Sequence, residues 1–174
     1  MNMKKYIYLF TAIIVSISFN SCIDLWGDGG DDPLIDNFES AYEPILMTRE
    51  EMESSIALRD PQTMNESGKI YLAADYILVN DKYDGFHIYN NENPTSPQLV
   101  KYLEVPGSTD VAIRNNIMYI NQATDLIAIS FDTNYQNITV TERVENVFPP
   151  LSFPPDGVFV AYDTSKIVLG WRLK

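Results

Sequence analysis

The chain repeats itself, and that repeat limits its fold more than any other feature. Slid along itself by about 41 residues, it places Ile70 and Leu72 on Val111 and Ile113, and Asp75 on Asn116. The run Ile77-Leu78-Val79-Asn80 then falls on Met118-Tyr119-Ile120-Asn121 without a gap. Asp84 meets Asp125, Phe86 and Ile88 meet Ile127 and Ile129, and Leu99 meets Val140. Apolar residues alternate or run together in short stretches, and Asp-Gly or Asn-rich pairs separate them, as at Asp84-Gly85. This is the pattern of short strands joined by tight turns. Each unit carries four strands, near 69–73, 76–80, 86–90 and 98–104 in the first copy. The second strand is apolar throughout, as a strand covered on both faces should be. Ile77, Val79, Ile88, Met118, Ile120 and Ile129 are therefore expected to be nearly inaccessible.

Four strands in about 40 to 45 residues make one blade of a β-propeller. The repeats are placed at about 68–108 and 109–149. Past the proline-rich run Phe148 to Pro155, which reads as a stiff extended linker or a polyproline ligand, a last hairpin is expected over 158–172. It pairs Val158–Tyr162 with Ile167–Arg172. The fold class is all-β, with two and a half four-stranded antiparallel propeller-like blades. One closed ring needs about four blades at least, so one chain does not close. The terminal hairpin, with Trp171 as a plug, is expected to hide part of the open end. The acidic surface then favours a monomer over self-association.

One short helix precedes the repeats. Thr48 and Glu51 form a capping box, in which each side chain bonds the other's backbone amide. A helix over about 49–58 follows, with Met52 and Ile56 four apart on its buried face, and Pro61 stops it.

The N-terminal residues carry an expectation of location. Lys4 and Lys5 precede an apolar run from Tyr6 to Phe19, and Ser21 stands before Cys22, the only cysteine. This is the anatomy of a secretory signal over residues 1–21. A cysteine directly after it resembles the lipobox of bacterial lipoproteins, which implies lipidation at Cys22 and a stable membrane anchor. Residues 22–46 read as a tether, because Asp24, Asp28, Asp31 and Asp32 alternate with Gly27, Gly29, Gly30 and Pro33 and cannot bury enough surface to fold. The globular β-repeat domain is placed at 47–174.

The stretch Asp110 to Ile120, followed by Leu126 to Ser130, resembles the LVIVD repeat of bacterial surface propellers. So does Gly85 to Asn90 followed by the turn residues Asn93, Pro94 and Pro97. The layout as a whole is similar to that of small propeller-like lipoproteins of Bacteroidetes. The resemblance implies the propeller fold and an outer-membrane position, lipid-anchored and facing the periplasm or the cell surface. It implies no chemistry.

The formal charge of −12, about −14 once Lys4 and Lys5 are removed, repels phosphate backbones and argues against nucleic-acid binding. His87 is the only histidine and sits on an alternating strand, so it is read as a strand residue facing away from the core. The acids Asp75, Asp81, Asp84, Asp110, Asp125 and Asp132 fall where turns need Asp or Asn. No catalytic residue, metal site or cofactor is assigned. Tyrosines are numerous, and Tyr83 and Tyr135, at loop tips, are the candidate binding surface for a protein or a sugar ring. The expected function is a non-enzymatic binding or scaffolding module at the cell envelope. A carbohydrate-binding module of a glycan-uptake system, and a hydrolase using strand-end acids such as Asp84 and Asp125, are the alternatives.

Overall fold

The computed structural model describes residues 39–73, 75–132 and 136–174. Cys22, Tyr135, the signal and most of the tether lie outside them. In chain order the elements are β1 (Tyr42–Met47), α1 (Arg49–Ser54), β2 (Ala57–Arg59), β3 (Ser67–Ala73), β4 (Tyr76–Asp81), β5 (Gly85–Asn90) and β6 (Gln98–Glu104). There follow β7 (Val111–Arg114), β8 (Ile117–Gln122), β9 (Asp125–Phe131), β10 (Ile138–Val144) and β11 (Ile167–Leu173). All pairings are antiparallel: β2-β6-β5-β4-β3 forms sheet I, β10-β9-β8-β7 forms sheet II, and β1-β11 forms a two-stranded sheet III. The fold is thus all-β, with one four-stranded sheet from each repeat and an added edge strand, β2, on the first.

Turn chemistry sets the registers. Ala73 faces Tyr76 in the first repeat and Arg114 faces Ile117 in the second, so this hairpin is conserved at the 41-residue spacing. Asn115 and Asn116 both take positive φ there, as a type I′ turn requires. The next hairpin differs. Asp81 faces Gly85 in the first repeat, whereas Gln122 faces Asp125 in the second, one residue tighter. The counterpart of His87 is therefore Ile127, and that of Phe86 is Leu126, rather than the pairs that gapless alignment suggests.

That one-residue change identifies the faces. The core between sheets I and II is built from Leu78, Phe86, Ile88 and Leu103 on sheet I and from Val111, Met118, Ile120, Ile127 and Ile129 on sheet II. Ile77 and Val79 point the other way and are only half-buried, so the expected core position belongs to Leu78. By the pairing, Ile77, Val79 and Tyr89 of sheet I correspond to Met118, Ile120 and Ile129 of sheet II. One face of the first unit hence packs on the opposite face of the second. The sheets stack front to back, as successive blades do.

Three expectations need correction. Helix α1 begins at its capping box, with the Thr48 amide donating to Glu51 Oε2 at 2.8 Å and the Glu51 amide to Thr48 Oγ1 at 3.2 Å, but it ends at Ser54. The Ser54 and Ser55 hydroxyls donate to the last carbonyls, and Ala57–Arg59 gains more by pairing with β6. The terminal hairpin does not form. Residues 158–162 are not a strand, and β11 pairs with β1 instead, Tyr42 opposite Leu173 and Met47 opposite Ile167. Consequently Tyr42–Leu46, placed in the tether, is folded strand. Trp171 is buried on β11, its Nε1 donating to Leu151 O at 3.2 Å and its ring meeting Tyr162 edge-on.

Candidate binding groove

The outer face of sheet II carries a groove of about 630 Å3. Ala112 of β7, Tyr119 of β8 and Leu126 of β9 form its floor; they share a face because Tyr119 pairs with Ala112 and Ala128. Phe148, Pro149 and Leu151 form one wall and Tyr83 another. The wall segment is pinned at both ends. Phe148 donates its amide to Thr124 O at 2.9 Å, and Leu151 O accepts from Trp171. The prolines stiffen it between those points. The volume and the mostly apolar, aromatic lining suit a ligand or an anchoring side chain.

Tyr83 is therefore at a groove, though not as a free loop tip. Its φ of 63° places it in the left-handed region. Its amide donates to Ser108 O at 3.0 Å, and its carbonyl accepts from Gly107 at 2.7 Å. Its ring lies against Gly170, where an added Cβ would fall 2.3 Å from Tyr83 Cγ. Glycine at 170 is what lets β11 approach. Tyr135, the other named tyrosine, lies outside the described residues.

Polar groups collect at the rim. Asn121 Oδ1 accepts from the Thr109 and Asp110 amides at 3.0 and 2.7 Å, fixing the entry to β7. Asp110 bonds Lys69 Nζ at 2.5 Å and Tyr71 Oη at 2.7 Å, and these bonds hold its carboxyl below the usual range. Burial, and then the bond to Asp110, push the Tyr71 hydroxyl up.

A second cavity of about 330 Å3 is lined by Asn65, Asp81, Asp84, Tyr102 and Glu104 among others. Burial raises the Asp84 carboxyl, the bond from Asn65 lowers it, and the charges of Asp81 and Glu104 raise it further. Beside this cavity His87 is only 1% exposed. It faces away from the inter-sheet core, as expected, yet is buried. Its Nε2 lies 3.2 Å from Asp81 Oδ2, and its ring is 4.8 Å from that of Tyr102. Asp81 also accepts the Asn65 and Glu66 amides at 2.9 and 2.7 Å, so it clamps the entry to β3. This cluster organises loops.

Asp125 stands in another setting. Its side chain is fully buried and accepts from Arg49 Nη1 at 2.5 Å, Arg143 Nη1 at 2.7 Å and the Asn146 amide at 3.2 Å. Burial alone would raise its carboxyl, but Arg143, the Asn146 amide and Arg49 outweigh that and lower it. Asp84 and Asp125, the acids named for a hydrolase, thus have unlike surroundings and separate partners. Among the described residues no group of three or more His, Cys, Asp or Glu is placed to hold a metal ion.

The aromatic and proline residues at 148–151 were readable as a stiff segment; that they wall a groove was not, because nothing local names the sheet they lie on. Comparison with known proteins finds no match to a family model, to a curated protein or to a solved structure.

Proposed function

We propose that this chain is a non-enzymatic, lipid-anchored module of the LVIVD-repeat kind that binds or scaffolds partners at the cell envelope. Cys22 carries the lipid and holds the domain at the outer membrane, facing the periplasm or the surface. The groove on sheet II is the contact surface. The observation that carries this reading is the groove itself, an apolar, aromatic-walled recess on a sheet face that another element would normally cover.

Two experiments test it. Cys22→Ser should move the protein out of the membrane fraction; retention there with the signal cleaved contradicts the anchor. Tyr119→Ala, at the groove floor, should abolish partner capture by a photocrosslinker at Ala112, and unchanged capture contradicts the groove. The glycan-binding reading has one observation in its favour: Tyr83, Tyr119 and Phe148 lie beside the polar Thr109, Asp110 and Asn121. Saturable retention on a glycan array that Tyr119→Ala removes would select it.

A further inference from the structure

The two sheets of this chain already show what their free faces fit. Inside the molecule, the inner face of sheet I (Leu78, Phe86, Leu103) packs on the inner face of sheet II (Val111, Met118, Ile120). Each of these faces has a counterpart on the other repeat that is only partly covered: on the outer face of sheet I His87 and Tyr102 are buried, whereas its edge strand β3 is open. On sheet II, Tyr119, Leu126 and Val144 hold the positions of Leu78, Phe86 and Leu103, and Val144 is 48% exposed. On sheet I, Ile70, Leu72 and Ile77 hold the positions of Val111, Ile113 and Met118. Ile70 is 67% and Leu72 77% exposed, on the edge strand β3. Large apolar side chains so exposed, in register on one face, mark an interaction surface.

We propose that the partner is a second copy of this chain, docked head to tail, with the outer face of sheet II in one copy against the outer face of sheet I in the next. This rests on the binding reading above, and it names the partner. Lys69 and Asp110 occupy equivalent positions of the two repeats and are already paired within each copy at 2.5 Å, so the head-to-tail contact brings no unpaired charge together at these positions. The groove is the gap that an arriving sheet would fill, bounded on one side by Phe148 to Leu151. The contact is heterologous, so it closes only by rotation. Two copies supply four sheets of the blade type, which is the lower limit for a closed array. Net acidity opposes association weakly at physiological salt, where charges beyond about 8 Å are screened.

The test uses full chains in a Cys22→Ser background, so that one engineered thiol is the only one. In the internal interface Tyr71 lies against Asp110 and Val111. The corresponding intermolecular neighbours are Ala112 of one copy and Ile70 of the next, both exposed. Chains carrying Ile70→Cys and Ala112→Cys, with tags of different size, are mixed and treated with a short bismaleimide. The mixture should give a cross-linked band containing both tags, while each variant alone gives none. Adding Leu72→Glu to the Ile70→Cys chain should cut the yield roughly tenfold, the loss expected for about 1.4 kcal/mol. Circular dichroism and melting curves confirm that each variant is folded; if the Ile70→Cys chain is not, Leu72→Cys replaces it and Ile70→Glu replaces Leu72→Glu. Cross-linking by either variant alone means a symmetric contact and overturns the proposal, as does the absence of any cross-link. In cells, capture of another protein from Ala112→Cys without self-capture overturns the second copy and leaves the binding reading standing. No capture of any protein overturns both.

Discussion

Replacing Asp125 with alanine should be among the most damaging single changes in the domain. The side chain is fully buried and joins three segments: Arg49 at the start of α1, Arg143 on β10 and the Asn146 amide beyond it. Arg143 also reaches Gln122 Oε1 at 2.6 Å, and Gln122 Nε2 donates to Met52 O at 2.8 Å, so one network fastens the helix to the β8–β9 turn. Removing one partner of a buried ion pair costs about 3–5 kcal/mol, because the other charge is left without a counterion. Here the arginines are not sealed in. The Arg49 side chain is 35% and that of Arg143 16% exposed, so water recovers part of the loss. A cost of about 2–3 kcal/mol remains, which for a domain of this size lowers Tm by roughly 5–10 °C. Urea unfolding monitored by circular dichroism and by Trp171 emission measures it.

The same residue sets an acid limit. Its folded carboxyl titrates below its ordinary value, so its contribution is complete above the unfolded pKa of about 3.9 and is lost as pH falls through the folded value. Wild type and Asp125→Ala should therefore converge in stability at low pH. A Tm change under about 2 °C at pH 7 would refute the reasoning, given the 2–4 °C per kcal/mol expected at this size.

Other consequences follow from single contacts. Asp84 has its folded carboxyl raised by burial, so its ionised form is disfavoured in the fold and its contribution falls as pH rises through the folded value. Asp84→Asn should raise Tm at pH 7 and give no gain at pH 3; a loss at pH 7 would show that the carboxylate has a partner of consequence. Gly170→Ala should drive a Cβ into the Tyr83 ring, whose backbone is held at both N–H and C=O. The cost of such overpacking is about 1–3 kcal/mol, read as a lower urea midpoint, and relief by Tyr83→Ala would confirm the clash.

What the residues reveal on their own depends on how far apart the interacting parts lie. The strands of both repeats were legible, since period-2 alternation and Asn or Asp-Gly turns act over a few residues. The cap at Thr48 and Glu51 was legible for the same reason. The pairing of β1 with β11 was not: Tyr42 and Leu173 meet only after everything between them has folded. Nor was the face assignment. Dropping one residue between Gln122 and Asp125 shifts β9 by one against the 41-residue alignment, which puts Ile127 where His87 stands, and the offset is recovered on β10. Of the candidate surface, Tyr83 was named from its loop, and its groove partners Tyr119 and Phe148 became visible only once sheet and wall were placed together.

In the proposed assembly the outer faces of sheets I and II repeat an interface already made inside the chain. Sedimentation velocity of the signal-cleaved Cys22→Ser protein at 0.15 M salt measures that assembly. Head-to-tail docking requires a species of at least twice the monomer mass, which Leu72→Glu returns to a monomer. A protein that stays monomeric across the micromolar range, with or without that substitution, would overturn the head-to-tail contact.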